Sequence, residues 1–236
     1  MIKLSIIIPV CNEEESLEEL FSELIPVLQG MRVSYEIICI DDGSTDRSPA
    51  VLKKLHKKNK HIRIIQFDRN YGKSSALDAA FSEVRGEWVI TMDADLQDDP
   101  ADIPAFYTAA QKADIVCGIR TRRQDSIIRR ISSRLANWWR NRILHESIKD
   151  TGCGFKCIRT SLLQKIKMFQ GMHRFFPSLI EMEGGRIAQI PVHHRHRKYG
   201  SAKYGVWNRV FRASRDLRAV RWMKDRNIVY HIKKNY

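Results

Sequence analysis

The chain has 236 residues, of which 43% are hydrophobic, and this is enough for one domain with a full core, with or without an appendage. Lysine and arginine together number 41 against 27 acidic residues, so the formal net charge is +14. No run of about 18 consecutive apolar residues occurs, so we expect no transmembrane helix. The first strand pattern begins almost at Met1, so we also expect no signal peptide.

Strand and helix patterns alternate along the first hundred residues. Short β-rich apolar runs predict strands at 4–10, 35–41, 62–67, 87–92, 115–118 and 187–192. Apolar residues at helical spacing predict helices at 15–29, 47–58, 73–84, 101–112, 127–145 and 205–224. This alternating order predicts an α/β fold with a mostly parallel central sheet, right-handed crossovers and flanking helices.

Acidic turns follow three of the predicted strands. The sequence CNEE at 11–14 follows the first strand, DDGS at 41–44 the second, and DAD at 93–95 the fourth. Open α/β sheets bind ligands at the carboxyl ends of their strands, so we expect a site there for a metal and a phosphorylated ligand. The alternative is that these segments serve only as turns and helix caps, which Asp, Ser and Gly often form.

The third of these turns has the spacing of a metal site. Asp93 and Asp95 are two residues apart, and on an extended strand their side chains would point the same way. One or both carboxylates could then bind Mg²⁺ or Mn²⁺ together with substrate phosphates. Gln97 could add a further oxygen ligand. Asp41, at the neighbouring strand end, could accept a hydrogen bond from a nucleotide base or ribose.

The positive charge is concentrated in two segments. Residues 119–149 hold nine basic and two acidic residues, a net charge of +7, and residues 195–234 hold thirteen and two, a net charge of +11. The rest of the chain is therefore about −4, and we expect localised contact with an anionic surface or a phosphate. Nucleic acid is the competing interpretation. However, no nucleic-acid motif occurs and the acidic strand ends would repel a polyanion, so we expect no nucleic-acid partner.

Both basic segments contain a helix pattern with an apolar stripe. In 127–145 the stripe includes Trp138 and lies among arginines, which is typical both of ordinary core packing and of a helix at a lipid interface. In 205–224 the stripe consists of Val206, Val210, Ala213, Leu217 and Val220. With Trp207 and Trp222 in addition, this second pattern favours contact with a membrane surface over a merely solvated basic face.

Two further clusters have the composition of metal sites. The segment 193–196 contains three histidines, but Arg195 and Arg197 would repel a cation, so a basic loop or a phosphate contact is the preferred interpretation. Cys153 and Cys157 have a ligand-like spacing without a second pair. The five cysteines are scattered, which predicts reduced thiols in a cytosolic protein.

Four motifs in order carry a family resemblance: IIPVCNE at 7–13, DDGSTD at 41–46, NYGKSSA at 70–76 and DADLQDDP at 93–100. With them the chain resembles the family 2 glycosyltransferases, which have the Rossmann-like GT-A fold. The last motif has one extra residue, Asp99, before its proline. DTGCGFK at 150–156, RFFP at 174–177 and RKYGSAKY at 197–204 are similar to the dolichol-phosphate mannosyltransferase and polyprenyl-phosphate glycosyltransferase type. The resemblance covers residues 1 to about 205.

The resemblance implies an inverting transfer from a nucleotide-diphosphate sugar, GDP-mannose or a UDP-sugar, to a dolichyl or polyprenyl phosphate. It implies a donor site formed by Pro9, Glu13, Asp41, Asp42, Lys73, Asp93 and Ala94. It implies that Mg²⁺ or Mn²⁺ is bound by Asp95 and Gln97. Catalytic roles fall to Asp93, Arg120 and Asp150, the last of which would orient or activate the acceptor. The acceptor phosphate or the donor diphosphate would be held by Arg120, Arg174, Arg197, Ser201 and Lys203.

These expectations divide the chain into a GT-A domain at 1–205 and a basic amphipathic helical tail at 206–236. We expect the tail and residues 127–145 to dock on anionic lipids of the cytosolic leaflet, so that the protein is cytoplasmic and peripheral. A partner membrane subunit is the alternative route to the lipid. Two other functions stay open. One is a family 2 transferase acting on a lipid-linked saccharide or a growing glycan, and the other is an inactive protein that binds lipid.

Overall fold

The computed structural model describes residues 2–121, 127–199 and 206–228, with the backbone alone described at 127–134 and 206–212. The strands are β1 Leu4–Val10, β2 Tyr35–Asp41, β3 Ile62–Gln66, β4 Trp88–Thr91, β5 Ile115–Arg120, β6 Lys156–Arg159 and β7 Ile187–Val192. The helices are α1 Glu14–Gly30, α2 Ser48–Lys58, α3 Lys73–Glu83, α4 Ile103–Ala110, α5 Ile127–Leu144, α6 Thr160–Leu163, α7 Phe176–Met182 and α8 Val206–Asp225. Single 3₁₀ turns occur at Pro100–Asp102 and Met172–Arg174.

The strands form one seven-stranded, mostly parallel sheet in the order β3-β2-β1-β4-β6-β5-β7. The first four strands are parallel, as the alternating pattern predicts. The sequence patterns do not predict β6, which runs antiparallel between β4 and β5. This strand has only four residues and begins at a buried lysine, Lys156, so its periodicity is too short and too polar to identify.

Two hydrophobic cores lie on opposite faces of the sheet, because successive side chains of a strand point to opposite sides. Ile6 and Ile8 enter the core covered by α1, α2 and α4, whereas Ile7 enters the core covered by α3, α7 and α8. Burial on both faces explains why the central strands are continuous apolar runs. Because β1 pairs parallel with both β2 and β4, the carboxyl ends of these three strands lie at one edge of the sheet, where their loops meet.

The apolar stripe of α8 faces the protein interior at Leu217 and Val220. Leu217 and Val220 are buried in the second core. On the same helix, Arg221 Nη1 donates to the carbonyl of Ile143 at 2.8 Å, and Lys224 Nζ donates to that of Leu144 at 2.9 Å. The prediction that this stripe contacts a membrane is therefore wrong at Leu217 and Val220, because the end of α5 and the core offer a nearer apolar surface.

The lengths and polarities of the described helices can be compared with those of a membrane-spanning helix. Within the described ranges, no helix combines the length and apolar character that are needed to cross a bilayer. The exposed sides of α5 and α8 are instead rich in tryptophan and arginine.

Candidate active site at the carboxyl edge of the sheet

The loops after β1 and β2 are joined by hydrogen bonds between backbone amides and side-chain oxygens. The amide of Asn12 donates to Ser44 Oγ at 3.0 Å, and the Asn12 side-chain oxygen accepts from the amide of Thr45 at 2.7 Å. The amide of Glu13 donates to Ser48 Oγ at 2.9 Å. Asn12 has a φ of 52°, in the left-handed region that Asn tolerates better than most residues. These bonds turn the chain sharply after β1 and set Glu13 at the rim of the site.

Asp41 ends β2 with one carboxylate oxygen engaged and one without a donor. Its Oδ1 accepts from the amide of Ser44 at 3.0 Å. Its Oδ2 is buried, and no described group donates to it. A buried acceptor without a partner costs roughly 1–3 kcal/mol, so a donor group on a ligand would relieve that cost. Beside Asp41, Pro9 is half-buried in β1 in register with Ile40.

Asp42 is buried and holds the loop that leads into α3. Its carboxylate accepts the amide of Tyr71 at 2.7 Å and the amide of Gly72 at 2.9 Å. Gly72 has a φ of 89°, which favours glycine. Since loop amides already occupy both oxygens of Asp42, this carboxylate fits a support for the loop better than a direct ligand contact. The loop in turn presents Lys73 at the start of α3.

Lys73 and Asp93 form an ion pair in the centre of this edge. Burial acts to lower the pKa of Lys73, but nearby carboxylates, chiefly Asp93, outweigh it and raise the pKa. Burial acts to raise the pKa of Asp93, and the Lys73 ammonium outweighs it, so that this carboxyl stays ionised. Gly154 passes directly over the pair, because a Cβ there would lie 3.0 Å from Asp93 Oδ2 and 3.2 Å from Lys73 Nζ.

The turn after β4 gives Asp93 and Asp95 different partners, which corrects the expectation that they share one face of a strand. The strand ends at Thr91, and Leu96 has a φ of 62°. While Asp93 pairs with Lys73, Asp95 Oδ2 lies 3.4 Å from Arg197 Nη1. Ala94, between them, has its side chain buried in the first core. The two carboxylates follow a bend rather than an extended backbone.

Asp98 belongs to the same turn and was not singled out by the sequence analysis. Its carboxylate is buried and accepts the amide of Asp93 at 3.1 Å. Burial, and then the charge of Asp93, raise its pKa to about 7. The run of acids in DADLQDDP is the signal that could have identified it, although which of those acids turns inward depends on the fold.

This turn has the donor set that a hard divalent cation prefers. Burial, followed by the charge of Asp93, raises the pKa of Asp95. A cation here would relieve the crowding of carboxylates, and the Gln97 amide lies two residues further along. In the described part of the chain, no group of three or more His, Cys, Asp or Glu side chains is placed to hold a metal. The residues therefore fit an ion with one or two protein ligands and ligand phosphates, and not a closed protein cage.

Arg120 and Asp150 form a two-pronged ion pair at the end of β5. Arg120 Nε donates to Asp150 Oδ2 at 2.8 Å, and Arg120 Nη2 donates to Asp150 Oδ1 at 2.9 Å. The Asp150 side chain is only 3% exposed, and the amide of Gly152 also donates to it at 3.2 Å. These hydrogen bonds fix the orientation of the Arg120 guanidinium.

His173 is a second residue that the sequence analysis missed. Its Nδ1 lies 2.8 Å from Ser74 Oγ, which itself accepts the amide of Gly171 at 3.0 Å. Burial, followed by the positive charges of Lys73 and Arg174, lowers the pKa of His173 to about 3, so the ring is neutral. Arg174, at the end of the same turn, is half-buried.

A basic segment, residues 193–199, is fastened across the site by ion pairs, and we call it the strap. Arg195 pairs with Glu23 at 2.6 Å and with Asp99 at 2.8 Å. Lys198 pairs with Glu19 at 2.7 Å. Arg197 pairs with both Glu13 and Asp95.

The histidines of the strap do not gather around one point. His193 Nδ1 lies 2.8 Å from Asp102, whereas His194 Nε2 lies 3.4 Å from the Gln97 amide nitrogen. This agrees with the preference for a basic loop over a histidine metal site. Ser201 and Lys203, which were predicted to hold a phosphate, lie outside the described residues.

The chain is similar in sequence to a known family and to characterised relatives. The family model of glycosyl transferase family 2 matches residues 5–167. The chain is 39% identical over 204 residues to the undecaprenyl-phosphate 4-deoxy-4-formamido-L-arabinose transferase of Edwardsiella ictaluri, covering 86% of this chain and 63% of that protein. It is 34% identical over 225 residues to the dodecaprenyl-phosphate galacturonate synthase of Rhizobium johnstonii, covering 93% and 66%. The chain thus spans slightly less than two thirds of the length of either relative.

Solved structures share the fold. Glucosyl-3-phosphoglycerate synthase from Mycobacterium tuberculosis, in complex with Mn²⁺, UDP and phosphoglyceric acid, superposes with a TM-score of 0.68 at 17% identity, covering 94% of this chain and 78% of that one. S. aureus TarS 1–349 in complex with UDP-GlcNAc gives 0.63 at 19% identity, covering 94% and 67%. The mostly parallel sheet with flanking helices is that of the GT-A fold. From the match over residues 5–167, this chain belongs to glycosyl transferase family 2.

Proposed function

We propose that the chain is an inverting glycosyltransferase that moves a sugar from a nucleotide-diphosphate sugar to a polyprenyl phosphate. The observation that carries the proposal is the presence of Lys73, Arg120 and Arg197 at the edge of the sheet that holds the acidic turn 93–98. There Lys73 pairs with Asp93, Arg197 with Asp95, and Arg120 with Asp150. Three cations there suit a diphosphate and an acceptor phosphate, and the acids suit a metal. The two curated relatives, whose names include undecaprenyl phosphate and dodecaprenyl phosphate, support this acceptor class.

The donor nucleotide is proposed to lie over the ends of β1 and β2. The free oxygen of Asp41 would accept from the base or ribose, with Pro9 and Glu13 beside it. Asp42 and Ala94 would contribute through the backbone and loops that they fix, since their side chains are already buried. Lys73 and Asp93 would face the sugar and diphosphate.

Asp95 and Gln97 are proposed to hold Mg²⁺ or Mn²⁺ with the donor phosphates. When bound, such an ion neutralises the negative charge that builds on the leaving diphosphate. Lys73 and Arg197 would add fixed positive charge from either side of the turn. This is electrostatic stabilisation of a developing anion, and removal of a single charged group should lower the rate of transfer.

The acceptor phosphate is proposed to contact Arg120, with Arg174, Ser201 and Lys203 as further candidates. A phosphate oxygen is already anionic near neutral pH, so the reaction has little need of a strong general base. This suits the observed position of Asp150, whose carboxylate is occupied by Arg120. Asp150 would act by holding the guanidinium in its phosphate-binding orientation.

A polyprenyl phosphate resides in a membrane, so the protein is proposed to act as a peripheral protein on the cytosolic face. An anionic lipid surface would attract the basic helices. A membrane subunit that carries the chain to its acceptor is the alternative partner. No feature of the described residues favours nucleic acid over these partners.

The test is a transfer assay with purified protein, a short polyprenyl phosphate, Mn²⁺ or Mg²⁺, and a panel of GDP- and UDP-sugars. We expect release of nucleoside diphosphate that requires both the lipid phosphate and the metal. Asp95→Asn should abolish this metal-dependent release while the thermal unfolding temperature stays close to that of the parent. Release that does not need the lipid phosphate would overturn the acceptor assignment, and unchanged turnover in Asp95→Asn would overturn the metal site.

A further inference from the structure

Helix α5 exposes an apolar face that covers nothing in the described protein. Leu135, Trp138, Trp139 and Arg142 share one side of the helix, since they lie at i, i+3, i+4 and i+7. Leu135 is 63% exposed, Trp138 58% and Trp139 57%. Three adjacent large apolar side chains left in water mark an interaction site rather than scattered surface residues.

Helix α8, which packs against the end of α5, exposes a basic face with a tryptophan. Arg215, Arg218 and Trp222 lie at i, i+3 and i+7 and are exposed, and the exposed Arg226 directly follows the helix, with its amide bonded to the carbonyl of Trp222. Trp222 is 65% exposed. The buried residues Leu217 and Val220 are on the other side of the helix, so this outward face has no role in the core.

The cations of the outward face differ from their neighbours in how they are paired. Arg221 pairs with Asp225 at 2.9 Å, and Lys224 pairs with Glu181. Among the described side chains, none of the carboxylates forms an ion pair with Arg215 or Arg218. Their charge is therefore available to an external anion, and tryptophan beside it is the composition of helices that lie in a membrane interface.

We propose that these two outward faces dock on an anionic lipid bilayer. We call them the tryptophan–arginine surface, formed by Leu135, Trp138, Trp139, Arg142, Arg215, Arg218, Trp222 and Arg226. The tryptophans insert at the level of the headgroups, and the arginines contact lipid phosphates. The side of α8 that docks is therefore opposite to its apolar stripe, which is buried at Leu217 and Val220.

The position of this surface suits the acceptor, and in this respect the inference rests on the proposed function. The Asn137 side chain donates to the carbonyls of Ile148 at 2.6 Å and Lys149 at 2.9 Å. Those residues directly precede Asp150, which holds Arg120. Trp138 and Trp139 thus follow a residue tied to the loop of the proposed phosphate-binding arginine. Asn137 lies on the opposite side of α5 from the two tryptophans, so a bilayer in contact with them would lie about one helix diameter, or roughly 10 Å, from that loop.

Charge complementarity favours a bilayer over a second copy of the chain. A symmetric dimer through this surface would bring the basic patch of one copy, with Arg142, Arg215 and Arg218, against the same basic patch of the other. Like charges that face each other oppose association. An anionic surface instead gains from every one of these side chains.

Vesicle binding without any substrate tests the surface. The complete protein is sedimented with phosphatidylcholine vesicles, with and without phosphatidylglycerol. We compare the parent with Trp138→Ser/Trp139→Ser and with Arg215→Gln/Arg218→Gln/Arg226→Gln. The matched control is Lys53→Gln/Lys57→Gln/Lys58→Gln, which removes the same charge from exposed positions on α2, a helix that packs on α1 and β3. Thermal melts verify that each variant is folded.

We expect binding that depends on phosphatidylglycerol and a partition constant that falls roughly 100-fold in the triple arginine variant, at about fivefold per cation. The tryptophan variant should lose binding and the blue shift of its fluorescence, and the α2 control should bind nearly as the parent does. Equal loss in the α2 control would overturn the proposal. Vesicle binding of both test variants at the level of the parent would also overturn it. So would light scattering that shows the parent to be a dimer and the tryptophan variant a monomer. Turnover of a short polyprenyl phosphate in detergent is measured in parallel, and turnover without vesicle binding would refute this surface while the proposed function stands.

Discussion

The guanidinium of Arg197 lies between Glu13 and Asp95. Its Nη2 is 2.6 Å from Glu13 Oε1, and its Nη1 is 3.4 Å from Asp95 Oδ2. Glu13 follows β1, Asp95 follows β4, and Arg197 belongs to the strap, so one side chain joins three segments of the site. It also places a positive charge beside the carboxylate that is proposed to bind the metal.

We predict that Arg197→Gln binds Mn²⁺ more tightly when no nucleotide is present, because the fixed cation no longer competes for Asp95. The expected gain is about tenfold in the dissociation constant, or about 1.4 kcal/mol. The electron paramagnetic resonance signal of free Mn²⁺ measures it directly. Turnover should fall, since the same arginine is proposed to contact the diphosphate. Lys198→Gln is the matched control, because Lys198 pairs with Glu19 and not with Asp95. Weaker Mn²⁺ binding in Arg197→Gln would contradict the idea of competition.

Gly154→Ala should disturb the pair of Lys73 and Asp93 without unfolding the protein. The new Cβ would meet Asp93 Oδ2 at 3.0 Å and Lys73 Nζ at 3.2 Å, so one of them must move. A displacement of a fraction of an ångström at a reacting centre can lower kcat/KM by about tenfold. Gly30→Ala is the control, as its Cβ would have no neighbour within 4 Å. Steady-state kinetics that are the same in Gly154→Ala and in the control would show that the pair tolerates the shift.

Asp150→Asn tests whether this residue orients Arg120 or takes a proton. If it orients Arg120, the change should raise KM for the lipid phosphate more than it lowers kcat. Because it leaves a largely buried arginine without its counter-ion, it should also destabilise the fold by about 3 kcal/mol. Urea unfolding and kinetics with varied acceptor measure the two effects. Arg120→Lys, which keeps the charge and loses the fork, should show the same KM effect. A loss confined to kcat, with a lost limb in the pH–rate profile, would point instead to a general base.

The neutral state of His173 predicts a stability that declines on the acid side. Its pKa is about 3 in the folded protein against 6.5 ordinarily, because burial and the charges of Lys73 and Arg174 oppose protonation. As the pH falls from 6.5 towards 3, the unfolded chain takes up a proton that the folded chain refuses, so this contribution to stability is lost.

His173→Asn should therefore flatten the dependence of the free energy of unfolding on pH in that window, as measured by urea titrations at several pH values. His196→Asn, at an exposed position of the strap, is the control. A slope that is unchanged in His173→Asn but reduced in His196→Asn would place the titrating group elsewhere.

Much of the fold follows from patterns that act locally. The apolar runs of β1 and β2, and the spacing of Leu17, Leu20 and Phe21 in α1, depend only on which faces a strand or a helix buries. For this reason the predicted bounds of β1, β2 and β7 agree with the structure. Neither the strand periodicity nor the helix periodicity predicts β6, because this strand has only four residues and begins with a buried lysine.

By itself, the sequence determined the α/β class and the placement of acidic turns at strand ends, and its motifs indicated the family. Only the tertiary structure decided the partners of each charged side chain. Asp42 holds loop amides, Asp150 holds Arg120, and Arg197 reaches Asp95 across about a hundred residues of chain. Such contacts depend on which loops the sheet order brings together. The same holds for α8, since helical periodicity identifies an apolar side but not whether a core or a membrane covers it.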